Sequence, residues 1–342
     1  MLSGNYVERT YKEHLSDYEQ WGQKEHASTW LLFPENIGSR CSIDETRLGD
    51  DVVTIVSNKE AHGGKGSIVA VVAGTKANVV SDILLKLPED KRKFVNEITM
   101  DFSESMRSIA EKVFPNATVI IDCFHIIKRT CDATEEIRLR EKRIAITEQN
   151  KERAEFNKKL ERNRKQRKYY RIHHPKKYKG KKRGRKPIRT NSAFRPKTLS
   201  NGETKVELLT NSKHLLSMSR DKWSDNQKKR AKLLFEMCPN IMEAYNKVNE
   251  LRAIFRSKVT RQIAKEKLHE WYQKVSECTL REVKAARELI KYREEQVLNY
   301  FINRSTNASA ESLNSKLKQF RAQLHGVSDY TFFLFRISRI YA

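Results

Sequence analysis

The chain has 342 residues, enough for two domains or for one domain carrying a large insertion. Lys and Arg number 68 against 43 Asp and Glu, a formal net charge of +25, which favours a polyanionic partner, nucleic acid before a membrane surface. No apolar run nears the roughly 18–20 residues of a spanning helix, and MLSGNYVERTYKEHL lacks the apolar centre of a signal peptide, so no membrane insertion is expected. The five cysteines are scattered, with no C-x-x-C pair. That argues against a disulfide framework or a structural zinc site and for a reducing cytosol.

Residues 1–38 read as short helical segments carrying Trp21 and Trp30, both expected in a core. From Cys41 the runs CSIDETRL, DVVTIVSN and SIVAVVAG read as three strands separated by turn-prone stretches such as Gly63-Gly64-Lys65-Gly66. TKANVVSDILLKLP has helical spacing, with Val79, Ile83 and Leu84 on one face. VNEITMDFS is a fourth strand, SESMRSIAEKVFPNA a helix with Ser103 at its N-cap, and ATVIIDCFH a fifth, buried strand. From Ile126 to Tyr300 the pattern is helical. Trp223 and Trp271 are expected in the core of that region.

The stretch 151–190 holds 19 basic and 3 acidic residues, a net +16. Its later part, HHPKKYKGKKRGRKPIRTN, has Gly, Pro and almost nothing apolar, the composition of a segment without fixed structure when unbound. Near the C-terminus, Leu313, Leu317, Phe320 and Leu324 form an i, i+4, i+7, i+11 stripe. Glu311, the lone carboxylate between Asn303 and Gly326, sits about 200° round the helix from Leu313, and Asn307, Asn314, Ser315 and Lys318 share its side.

Three acids end or interrupt apolar strands: Asp44 in SIDE, Asp101 in ITMDFS and Asp122 in VIIDCFH. A buried strand carries an acid when it is capped, paired or bound to a cation. Carboxylates at the ends of neighbouring strands can converge into the oxygen-rich site that Mg²⁺ or Mn²⁺ requires, and two such ions suit phosphodiester chemistry. Any one of these acids is also a plausible cap. Asp101 could help start the helix after Ser103, and Asp122 could be a buried acid held by His125. Glu45, beside Asp44, is a weaker ligand because adjacent strand residues face opposite ways.

The order β-β-β-α-β-α-β, with an Asp on its first and fourth strands, a long helical insertion and then a helix bearing Glu, resembles the DDE transposases. FPNATVIIDCFHIIKR and NRSTNASAESLNSKLKQFRAQLHGVSDYTFFLFRI resemble the ISL-three insertion-sequence family in particular, its ISAon-like branch most of all. The resemblance implies an α/β fold: an RNase H-like mixed sheet interrupted by a large helical insertion before the last catalytic helix. The divisions it implies are an N-terminal helical segment (1–40), the first part of the core (41–130), the insertion (131–300) with its basic flexible segment (151–190), and a C-terminal helix that completes the core (301–342). It matches Asp44, Asp101 and Glu311 to the metal-binding acids, for two Mg²⁺ or Mn²⁺ ions. Asp122 and His125, in D-C-F-H, match a C/D-x-x-H signature that supports the site, and Asp122 is the alternative second acid.

The resemblance further implies cleavage at element ends and transfer of the 3′-OH into target DNA, by a homodimer associated with the bacterial nucleoid. The basic segment, with Lys182, Arg183, Arg185 and Lys186, would contact phosphates; KRGRKP is similar to a minor-groove clamp, but for that detail a solvated linker is the preferred reading, and Lys318, Arg304 and Arg321 would hold a phosphate beside the acids or be ordinary surface groups. Larger relatives begin with a zinc module and a helix-turn-helix. Only about 40 residues precede the first strand here, so a separate end-recognition protein is a candidate partner. A nuclease without strand transfer and an inactive DNA-binding protein are the alternatives.

Overall fold

The computed structural model describes residues 4–174, 193–324 and 329–342. The N-terminal stretch is only partly helical. Helix α1 (Gly4–Thr10) runs into one π turn and two short 3-10 turns, and Trp30–Leu32 then forms an edge strand, β1. Three residues are too few to show a strand period. It is the antiparallel pairing with β4 (Ile68–Ala73), Leu31 opposite Val71, that makes them a strand. Trp21 and Trp30 are half-buried, Trp30 stacking on His26 at a centroid separation of 3.4 Å.

The five strands read from the pattern are present. β2 (Arg40–Leu48), β3 (Asp51–Asn58) and β4 form an antiparallel meander. β5 (Glu97–Met100) and β6 (Thr118–Ile121) add in parallel on the other side of β2. The sheet order is β1-β4-β3-β2-β5-β6. Helix α2 (Ala77–Leu84) buries Val80 and Leu84, an i, i+4 pair, while Val79 is 44% exposed, so its inward face lies one residue beyond the expected one. Helix α3 (Glu89–Phe94) leads into β5. Helix α4 (Glu104–Val113) is capped by Ser103 and buries Met106, Ile109, Ala110 and Val113. Beyond β6 begins a 51-residue helix, α5 (Cys123–His173).

The first 23 residues of the segment 151–190, expected to be flexible, are therefore helical. They are rich in Lys, Arg, Glu and Gln, which lose little in a helix, and the first breaker is Pro175. Residues 175–192, with Lys182, Arg183, Arg185 and Lys186, lie outside the described residues.

The remaining helices are α6 (Lys205–Asn211), α7 (Lys213–Ser217), α8 (Asp225–Met237), α9 (Pro239–Arg256), α10 (Arg261–Glu277), α11 (Arg281–Tyr292), α12 (Glu294–Leu298), α13 (Tyr300–Asn303), α14 (Ala308–Gln323) and α15 (Tyr330–Tyr341). The chain divides into two compact units. One comprises Met1–Lys128, Ala253–Tyr272 and Glu288–Ala342; the other comprises Arg129–Arg252 and Gln273–Arg287. The insertion is thus smaller than 131–300. Residues 253–272 and 288–300 go with the sheet because they pack there. Asn299 donates to the Val119 carbonyl of β6 at 2.9 Å, and the Phe255 ring packs at a tilt against those of Tyr300 and Phe301. Trp271, 1% exposed, accordingly belongs to the sheet unit. Trp223 is core to the helical unit, donating to Leu215 O and stacking on Tyr245.

One sheet face is covered by the expected apolar stripe. Leu313 and Leu317 of α14 pack with Phe333, Leu334 and Ile337 of α15 against Val53, Ile55 and Val71, while Phe320 and Leu324 are partly buried at the margin. Burying each leucine contributes about 2 kcal/mol, which holds α14 across the sheet. Asp44 stands opposite Ile55 on β3, on that same face.

Candidate active site

The sheet register places the three strand aspartates level with one another. Ile43 pairs with Met100, and Met100 with Ile121. Asp44, Asp101 and Asp122 are each the next residue, at corresponding positions on three adjacent strands running the same way. Neighbouring strands are ~4.8 Å apart and level side chains share a face, so the three acids begin in one row. The C-terminal ends of parallel strands are where open α/β sheets bind ligands.

The row is used unequally. Asp122 is 3% exposed. Its Oδ1 accepts from Phe124 N at 2.8 Å and its Oδ2 from Asn307 N at 2.6 Å. It caps the start of α5 and ties down the residue before α14. Asp101 behaves otherwise. His125 Nε2 lies 2.8 Å from its buried Oδ1, an ion pair whose geometry falls short of an aligned hydrogen bond. The same nitrogen is 3.9 Å from Glu311 Oε1. Burial alone would lower the His125 pKa, but the adjacent Asp101 carboxylate outweighs it and holds the imidazole above its usual value.

Asp44 joins them through α14. Asn314 Nδ2 donates to its Oδ2 at 2.6 Å, and Glu45 N donates to its Oδ1 at 2.8 Å. Burial is the main reason its pKa rises to about 6; the charge of Asp101 adds to this, and that of Glu311 adds less. Glu45 is also raised, by burial and then by Asp101. Asp44, Asp101, His125 and Glu311 are therefore one electrostatic unit. Three carboxylates are the hard oxygen donors that suit Mg²⁺ or Mn²⁺. Their excess negative charge, felt in the raised Asp44, fits such an ion. As arranged, however, no three His, Cys, Asp or Glu among the described residues stand close enough to hold a metal.

The comparison with protein families bears on this centre. The model of the ISL3-type DDE transposase family, described as Transposase, matches residues 41–337. The chain belongs to that family. Neither a curated protein nor a solved structure matches it. Membership makes it a nucleic-acid-processing enzyme with DNA as its partner. None of its described helices is long and apolar enough to cross a membrane.

Around these acids lies a layer that no short motif announces. Lys59 Nζ, following β3, donates to Glu97 Oε1 at 2.9 Å, to Thr99 Oγ1 at 2.6 Å and to Ser305. Glu97 also accepts from Asn303 and Ser305. Burial pushes the Glu97 carboxyl up, but the Ser305 and Lys59 bonds outweigh it and hold it below its usual range. The turn from α13 to α14 is thereby fastened under the sheet. Arg293, 3% exposed, pairs with Glu104 at 3.0 Å and lies over the Phe102 ring, bracing the loop that carries Asp101. The partners Lys59–Ser305 and Arg293–Glu104 are 246 and 189 residues apart in the chain, and even Lys59 and Glu97 are 38 apart, too far for any local signal to link them.

The basic residues expected beside the acids divide. Lys318 is exposed. Arg304, in the left-handed region at φ 58°, donates to the carbonyls of Phe255 at 2.6 Å and Ser257 at 2.8 Å, which makes it a structural lock. Arg321 lies over the Phe333 ring at 5.0 Å, with Nη1 buried.

Proposed function

We propose that this transposase cuts DNA at the ends of an insertion element and transfers the freed 3′-OH to target DNA, using Asp44, Asp101 and Glu311. The observation that carries the reading is that His125 lies against both Asp101 and Glu311, while the parallel register of β2 and β5 sets Asp44, within β2, level with Asp101 and close enough to feel its charge. The sheet order, an antiparallel meander extended by two parallel strands, supports an RNase H-like core, and the D-C-F-H run supports the ISAon-like branch.

Two Mg²⁺ or Mn²⁺ ions held by the three carboxylates would supply charge neutralisation at the reacting phosphate. The chain's own side chains set the frame. Asn314 orients Asp44, and Arg293 braces the loop of Asp101. His125 holds a proton at Nε2 between Asp101 and Glu311, within reach of an oxygen that leaves or attacks there. Asp122 keeps α5 and α14 in place. The exposed helical stretch 151–173 holds donor or target DNA through its phosphates, as do Lys318 and the segment containing Lys182, Arg183, Arg185 and Lys186. Pairing two element ends calls for a homodimer.

The test is nicking and joining of supercoiled plasmid carrying the element's terminal repeats, with Mg²⁺ or Mn²⁺, by wild type and Glu311→Ala. Joined products that vanish in the variant support the proposal. Nicks without joining reduce it to a nuclease. Binding with no metal-dependent product in either protein removes Glu311 from the chemistry and leaves a DNA-binding protein.

A further inference from the structure

Phe124 is 58% exposed although it sits in the first turn of α5, between Asp122 and the site histidine. A single exposed apolar residue is ordinary. Three placements set this one apart. Its backbone N–H is gripped by the buried Asp122 carboxylate at 2.8 Å, so the ring projects from a fixed base. Its ring meets the His125 ring edge-on, with centroids 5.3 Å apart and planes at 85°. His125 in turn touches Asp101, so the phenyl face lies just outside the acidic centre. Among the described residues it is the exposed aromatic whose ring contacts a member of that centre. One turn further on, at i+4, Lys128 is exposed on the same side of α5, and its charge reaches His125.

An exposed aromatic face next to a cation is the combination that binds unpaired nucleic acid: the ring stacks on a base and the cation takes a phosphate. We propose that Phe124 and Lys128 form a nucleobase-stacking site, which receives an unpaired base adjoining the phosphate being cut. The inference rests on the reading of the acidic centre as the site of cleavage. The spacing suits it. His125 touches both Asp101 and the Phe124 ring, so a base adjoining a phosphate held at Asp101 comes within reach of Phe124 once it leaves the stack. Stacking tolerates any base, so the site sets position rather than sequence. Phe124 is a positioning residue: it touches the base beside the reacting phosphate and not the phosphate itself.

The experiment uses the full chain and a DNA duplex ending in one unpaired 2-aminopurine, whose fluorescence is quenched on stacking. Anisotropy measures overall affinity in the same samples. At saturation, wild type and Phe124→Trp are expected to quench the probe. Phe124→Ala and Phe124→Leu, the second retaining apolar bulk without a π face, are expected not to, with overall affinity changing less than about threefold because most of it comes from phosphate contacts. In the plasmid assay Phe124→Ala should lower the cleavage rate at saturating DNA about 10- to 100-fold, and Phe124→Trp should restore it. Equal quenching by wild type and Phe124→Leu overturns the proposal, as does an unquenched probe with wild type. Failure of the parent reading looks different: quenching would still depend on Phe124, while wild type would yield no Mg²⁺- or Mn²⁺-dependent product.

Discussion

Asp101 and Asp122 have the same local history. Each follows a short apolar strand, each precedes a helix, and the register sets them side by side on β5 and β6. Yet one is structural and the other faces the centre. Asp122 is beside the residues that start α5 and precede α14, so two backbone N–H groups consume its oxygens. Asp101 is followed by Phe102 and Ser103, and Ser103 caps α4 in its place. Relieved of capping, Asp101 meets His125 instead. An acid at a strand end is thus available for chemistry when another residue does the capping.

The sharpest way to break this contrast is to neutralise each acid in turn. Asp101→Asn should lower metal-dependent cleavage roughly 10³-fold or more, from the several kcal/mol an ion-binding carboxylate supports, with the thermal midpoint nearly unchanged. Asp122→Ala should act through stability, losing about 2–4 kcal/mol in urea unfolding, because two buried N–H groups lose a charged acceptor. An Asp122→Asn protein that folds normally but is inactive, beside an active Asp101→Asn, would reverse the two roles.

The supporting layer sharpens the comparison from beneath. Lys59→Met leaves Glu97 buried without its cation and should cost about 2–3 kcal/mol, with Lys59→Met/Glu97→Gln less damaging than the two single changes summed. Because the Glu97 carboxyl is held below its ordinary 4.5, the stabilisation is present above that pH and fades as the pH falls further. Unfolding curves of wild type and Glu97→Gln that run parallel through pH 3–6 would rule this out.

The smallest effect concerns Asp44. Its carboxyl is raised from 3.8 to about 6, so the folded chain binds the proton more tightly than the unfolded one. Without a divalent ion, stability should therefore decline as pH rises through that window, by about 1–2 kcal/mol once solvent screening is allowed for. Asp44→Asn should flatten the decline. Millimolar Mn²⁺ should raise the melting temperature of wild type at pH 7 and leave Asp44→Asn unmoved. A Mn²⁺ shift equal in both proteins would detach Asp44 from ion binding.

Much of this molecule could be read along the chain. Short β-rich runs bounded by turns located five of six strands, the 3.6-residue stripe put Leu313 and Leu317 in the core, and Ser103 declared its cap. These are local properties, because pleat, helix period and capping each depend on residues within a few positions. The family, too, was legible from two linear motifs. Other features took the tertiary structure to decide. Strand β1 exists through its pairing with β4. The helical face of α2 was off by one residue, because it is the sheet beneath that selects Val80. The basic stretch 151–173 is helical where composition suggested freedom, since charge opposes burial but not the helix itself. The sequence favoured Asp101 as the second acid and kept Asp122 as its alternative. Only packing gives them their different partners, because these depend on Asn307 and His125, brought there by a register and a helix crossing that no run of residues encodes.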